Sequence, residues 1–196
     1  MHDLHGIRLG FALCGSFCNA ARAVETAQLC AANGAEILPI VSEHFASMRT
    51  RFGAPAVFLE PLDALGRGRI IRFVADAEPI GPKNMTDALV VCPCTGNLLG
   101  KLSAGLTDNT VTMAVKSHLR GGKPVILCVA TNDGLSASAR NLGDLLNRKH
   151  YYFVPFGQDD PEHKPTSLVA DFSLVPETVR AALDGYQMQP LLIPRP

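Results

Sequence analysis

Ile7 to Leu13 (IRLGFAL) is a short, mostly apolar run that ends in the small and polar stretch Cys14-Gly15-Ser16-Phe17-Cys18. Beyond it Ala20, Ala23, Val24, Ala27, Cys30 and Ala31 recur at steps of three and four, the period of a helix face. Asn33-Gly34 predicts the helix stop, because glycine takes the left-handed conformation that closes helices. Glu36 to Val41 (EILPIV) predicts a second strand. Strand, turn, helix and strand in this order form a βαβ unit, which implies parallel pairing through a right-handed crossover.

The order then repeats. Ala88 to Cys92 (ALVVC) is continuously apolar and leads into Pro93-Cys-Thr-Gly-Asn97, with a helix from Leu98. A further helix begins near Thr110 and stops at Gly121-Gly122. Val125 to Ala130 (VILCVA) predicts the next strand, Thr131-Asn132-Asp133-Gly134 the next turn, and Leu135, Ala139, Leu142 and Leu146 an amphipathic helix. Tyr152 to Phe156 predicts the last strand, and Pro176 to Gly185 a short helix before an apolar, proline-bracketed tail. Runs that are apolar throughout, rather than alternating, belong to a sheet covered on both faces. The expected fold is α/β, one domain over residues 1–196 with a mostly parallel, doubly wound sheet. Ser42 to Pro82, with a helical piece at Pro55 to Leu65, and the polar Gly157 to Pro165, a surface loop or flap, stand outside the sheet.

Composition removes several functions. Eighteen Lys and Arg balance eighteen Asp and Glu, so there is no basic surplus for nucleic acid. Charged residues make up 18% of the 196, below the roughly 25% of ordinary domains, which hints at surface covered by partner copies. No run reaches the roughly 20 apolar residues of a membrane span, and Met1-His2-Asp3 is not the start of a signal peptide, so a cytoplasmic protein is expected. The cysteines, at 14, 18, 30, 92, 94 and 128, lack the C-x2-C spacing of a structural zinc site, and no metal is expected.

Ligands of an open parallel sheet sit beyond the carboxyl ends of its strands. The first turn places Gly15 and Ser16 at a helix start, where free N–H groups suit a phosphate; Ser16 acting only as an N-cap is the other reading. G-x-G-x-x-G is absent, although Glu43 stands near the end of the second strand, and so is G-x-x-x-x-G-K-[ST]. One phosphate, as in a mononucleotide, suits this shorter loop. Thr95, Gly96 and Asn97 offer a hydroxyl and an amide to the polar edge of a flat heterocycle, although a capped helix would look the same.

These residues carry a resemblance. Gly15-Ser16, then Pro93-Cys-Thr-Gly-Asn-Leu98 and Lys101-Leu-Ser-Ala-Gly-Leu-Thr-Asp-Asn109, resemble the flavoprotein family of homo-oligomeric flavin-containing cysteine decarboxylases. Gly10 to Cys18, Thr50 to Gly53, Ala77 to Lys83, Thr131 to Asp133, Tyr152 to Asp159 and Lys164 to Ala170 narrow the resemblance to one branch. It implies a Rossmann-like, flavodoxin-like three-layer domain that binds FMN and assembles as trimers or multiples of trimers. It also implies one member of an oxidoreductase complex for a small dicarboxylate, working with a companion subunit that resembles a nicotinamide-dependent dehydrogenase.

By the same resemblance, the FMN phosphate falls at Gly15 and Ser16 with help from Ser42, and Thr95, Gly96 and Asn97 stand near flavin and substrate. Thr131 and Asn132 close over the ring. Asn97 is then a catalytic candidate. Among Arg49, Arg51, Lys116, His118 and Arg120, a candidate anion pocket, Arg51 is selected for the dicarboxylate and His118 as a second catalytic candidate. Pro93-Cys-Thr-Gly-Asn-Leu departs from the family's Pro-Ala-Ser-Ala-Asn-Thr, and the decarboxylases' early histidine is not carried to His44. Two alternatives stand beside the oxidoreductase: an FMN-dependent cysteine decarboxylase and a non-catalytic scaffold.

Overall fold

The computed structural model describes residues 3–194; Met1 and His2, part of the expected chain start, lie outside the described residues. The strands and helices are β1 (Arg8–Leu13), α1 (Ala20–Ala32), β2 (Glu36–Val41), α2 (Glu43–Ser47), α3 (Pro55–Leu65), α4 (Val74–Ala77), β3 (Ala88–Cys94) and α5 (Gly96–Ser103). They continue with α6 (Thr110–Leu119), β4 (Val125–Thr131), α7 (Ala139–Leu146), β5 (Tyr151–Phe153), β6 (Phe156–Gly157), β7 (Leu168–Ala170) and α8 (Val175–Leu183). The predicted elements are present, most with ends displaced by one or two residues.

One sheet runs β2-β1-β3-β4, with β1 parallel to β2 and β3, and β3 parallel to β4. Every residue of β3 is buried, as are the first six of β4, which is why both strands are apolar without alternation. α1 packs with α3 and α8 over one face, and α6 packs with α4 and α5 over the other. The buried stripe of α1 is Ala20, Ala23, Val24, Ala27 and Cys30, small residues that let the helix approach the sheet. Asn33 caps it, and Gly34 follows at φ +99°.

The predicted last strand divides in two. Pro155 has no N–H for a ladder, and the chain turns there from β5, which runs parallel beside the first half of β4, into β6. β6 pairs with β7, and β7 lies antiparallel against Ala130 and Thr131 at the far end of β4. The outer edge of β4 is thus shared by two partners, one parallel and one antiparallel. This return carries residues 158–167 over the carboxyl edge of the sheet. The apolar tail closes onto β6, with Phe156 N–H donating to Leu191 and Ile193 N–H to Phe156.

At the amino-terminal edge Asp87 ties three strand starts together. Its carboxylate accepts from the Arg8 amide at 3.0 Å, from Arg8 Nε at 3.0 Å and Nη2 at 2.6 Å, and pairs with Lys123 at 3.5 Å. Partial burial works to raise its pKa, but the Arg8 hydrogen bonds and the Lys123 charge win and hold it at about 2. Asp87→Ala should lower stability by about 1–2 kcal/mol in urea unfolding at pH 7. An unchanged midpoint would show that solvent replaces these bonds without loss.

Candidate functional site

The strand order is that of a flavodoxin-like sheet, in which the helices after β1 and β3 lie on opposite faces and leave a crevice between the strand ends. A cleft of about 1230 Å3 occupies this position. One wall is the first loop, Gly15 to Asn19, with Arg22 one turn further; Arg51 and Phe52 stand at its side. Thr95, Gly96 and Asn97 contribute at the start of α5, and Ala130 to Asp133 at the end of β4. Asp159 and His163 to Val169, from the β6–β7 connection, complete it.

Each group is set by local chemistry. Ser16 begins a 3-10 turn (Phe17–Asn19), yet its hydroxyl caps no backbone N–H; it accepts from Asn19 Nδ2 at 3.2 Å. A Cβ built on Gly15 meets no atom within 4 Å, so the loop leaves open space where a phosphate could approach the backbone. Thr95 does cap α5, accepting from the Leu98 amide at 3.3 Å. Gly96 has a steric reason: a Cβ there would overlap the Asp133 carboxylate and reach Ser138 Oγ at 2.5 Å and Thr131 Oγ1 at 2.7 Å. Thr131 Oγ1 donates to Asp133, and Ser138 Oγ donates to it at 3.0 Å. The Asn97 side chain is exposed and makes no hydrogen bond among the described residues.

The β6–β7 wall is tied to the β4 turn. Thr166 Oγ1 donates to the Asn132 carbonyl at 2.7 Å, Ser167 Oγ to that of Thr131 at 3.3 Å, and the Leu135 amide to Thr166 at 3.0 Å. Two cations are steadied on aromatic rings, Arg22 over Phe172 at 4.4 Å and Arg51 over Phe52 at 4.9 Å. Such stacking leaves the guanidinium edge available to an anion. Near the floor, burial pushes the Cys14 thiol up to about 11 and the Cys94 thiol well above its ordinary value. Both are neutral thiols at pH 7, unsuited to nucleophilic attack.

The cleft therefore gathers Gly15, Ser16, Arg51, Thr95, Gly96, Asn97, Thr131 and Asn132. Two expected residues do not reach it. Ser42 is buried and caps α2, accepting from the Phe45 amide at 3.3 Å. His118 is 1% exposed on α6 at the opposite edge of the sheet, with Nδ1 against Thr86 Oγ1 at 2.9 Å and Nε2 against the Pro124 carbonyl at 3.1 Å. Enclosed in this way, His118 lies apart from the cleft and both ring nitrogens have protein partners. The anion pocket is corrected with it, since Lys116 and Arg120 also lie away from the cleft. Glu43, near the end of β2, is occupied by the Thr110 hydroxyl at 2.8 Å. Arg22 and Asp133 were missed, because stacking on Phe172 and the approach of Asp133 to Gly96 are contacts between distant segments.

A profile of the Flavoprotein family matches residues 2–161. The B subunit of dipicolinate synthase from Bacillus subtilis (strain 168) is 40% identical over 193 residues, 98% of this chain and 96% of that protein. The chain belongs to the Flavoprotein family. The crystal structure of the dipicolinate synthase B subunit from Bacillus halodurans C superposes on this Flavoprotein-family chain with a TM-score of 0.91 and 37% identity, covering 98% and 99% of the two chains. The FMN binding protein AtHal3 shares the fold, with a TM-score of 0.64 and 21% identity over 93% of this chain and 99% of its own. Among the described residues, no helix is long and apolar enough to cross a membrane.

His118 gives this chain an acid limb in its stability. Burial lowers its pKa to about 4 from 6.5, helped by the Lys123 charge and opposed by the Pro124 carbonyl. The folded state keeps it neutral while the unfolded chain takes up a proton below 6.5. This share of stability is complete above that value and is lost as pH falls towards about 4, up to roughly 3 kcal/mol. His118→Gln should flatten the change in urea midpoint between pH 7.5 and 5. A slope equal to that of the unmodified protein would place the acid sensitivity elsewhere.

Proposed function

We propose that this chain is the FMN-binding B subunit of a dipicolinate synthase. In this reading it works with the A subunit of that synthase to oxidise a dihydro- or tetrahydrodipicolinate precursor to pyridine-2,6-dicarboxylate during sporulation, in the mother-cell cytoplasm. The observation that carries the proposal is the cleft at the strand crossover. It gathers the residues of the flavoprotein resemblance in a chain similar to a dipicolinate synthase component along nearly its whole length.

The residues fit the cofactor. The open backbone at Gly15, the uncapped Ser16 hydroxyl and the leading N–H groups of the first turn would hold the phosphate. Arg22, on the same wall, adds a positive charge. Thr95, Gly96 and Asn97 would face one side of the ring system and Thr131 with Asn132 another. The chemistry that FMN supplies is the acceptance of two electrons. Asn97 would orient flavin and substrate, since no hydrogen bond among the described residues occupies its amide. Arg51, fixed over Phe52, would take a substrate carboxylate through paired, charge-assisted bonds. Assembly as trimers, with sites shared between copies, belongs to the same proposal.

The test begins with the purified protein and FMN. Flavin at a hundred times its Kd adds about 2.7 kcal/mol, a rise in Tm of roughly 5–10 °C. Gly15→Ala introduces a methyl group that meets no protein atom, so it should leave the apo Tm unchanged and weaken FMN binding tenfold or more. No flavin absorbance and no thermal shift would sink the proposal. Dipicolinate formation is then followed with and without the companion subunit. Arg51→Gln should raise KM at least tenfold, whereas Asn97→Ala without loss of activity would favour the scaffold reading, and carbon dioxide release from a cysteine substrate by this chain alone the decarboxylase.

A further inference from the structure

At the edge of the sheet opposite the cleft, a groove of about 470 Å3 lies between the end of α5, the second half of α6 and the start of β5. Leu102, Leu106, Val115 and Leu119 form its apolar surface, and Leu106 is 52% exposed. Lys116, Arg120 and Lys149 stand on its rim, and among the described residues no acidic side chain lines it. None of these three forms an ion pair among the described residues. Arg148, by contrast, is spent on Asp144 at 2.8 Å and on the Ser103 carbonyl at 2.6 Å. The chain as a whole is neutral, so the cations on this face are a local surplus.

The groove does not end at Arg148. A second one, of about 420 Å3, shares that residue and continues between α5 and α7 past Ser103, Asn141, Arg140 and Asp144, whose carboxylate is taken up by Arg148. A strip across three helices is longer than a compact small molecule needs, and it suits an extended or helical stretch of polypeptide. In the first groove the apolar floor and the cationic rim set the chemistry of that stretch: leucine-like anchors to leave water, flanked by carboxylates to meet Lys116, Arg120 and Lys149.

We infer that this strip docks an acidic, apolar segment of the companion subunit. The inference rests on the two-subunit reading given above. Its geometry keeps the two tasks apart, because a partner seated at the amino-terminal edge leaves the cleft at the carboxyl edge open to flavin and substrate.

The test is sedimentation velocity on the full-length chain mixed with the purified companion subunit, in 50 mM and 500 mM NaCl, with FMN binding measured in parallel. The unmodified protein should bind at low salt and at least tenfold more weakly at high salt. The double variant K116E/K149E, and separately Leu106→Asp, should weaken binding tenfold or more at 50 mM NaCl while keeping the FMN affinity of the unmodified protein, which reports an intact fold. Leu106→Ala provides the milder apolar variant should Leu106→Asp not fold. Variants that bind the companion with the affinity of the unmodified protein overturn the inference, as do variants that change only self-association and so assign the strip to a second copy. Absence of any binding by the unmodified protein overturns the two-subunit reading as well, a result distinct from the other two.

Discussion

β3 and β4 are buried along both faces, so every N–H and C=O in them depends on a neighbouring strand rather than on water. The rest of the molecule follows from that need. Helices must cover both faces, and polar groups can return to solvent only at the strand ends. At the carboxyl ends the chain after β1 and the chain after β3 turn to opposite faces, and the separation is the cleft. The site is a consequence of how the buried ladder is closed, and its residues come from five separated parts of the chain.

The outer edge of β4 adds what a simple parallel sheet lacks. Pro155 ends the parallel pairing, and the chain returns as an antiparallel β7 against the last residues of β4. The hydrogen bonds from Thr166 and Ser167 to the carbonyls of Asn132 and Thr131 hold this return in place. A polar segment of the sequence thereby becomes a fixed wall with histidine and lysine facing the cleft.

Positive charge is sorted by use. Arg8 and Lys123 meet at Asp87 and hold strand starts together. Arg22 and Arg51 rest on aromatic rings beside the cleft, where stacking restrains the side chain without neutralising it. Lys116, Arg120 and Lys149 rim an apolar groove at the other edge. Equal totals of acid and base conceal this division, which is a property of placement.

Local chemistry made much of this legible in advance. The unalternating runs at Ala88 and Val125, the glycine stop after α1 and the small polar turns specify a doubly wound sheet, because burial on both faces excludes polar positions and turns demand particular backbones. The resemblance carried by Gly15-Ser16 and Thr95-Gly96-Asn97 pointed to loops that line the cleft for the same reason, since neighbouring residues stay together in any fold. Only the tertiary structure could decide matters between distant segments. His118 and Ser42 look like free polar groups until packing encloses the one against Thr86 and Pro124 and occupies the other with a helix cap. Arg22 looks like a solvated helix charge until Phe172, 150 positions later, lies beneath it. Sequence by itself determined the periods and the turns, which depend on neighbours; burial and pairing across the chain depend on the whole fold, and they chose which polar residues reach the cleft.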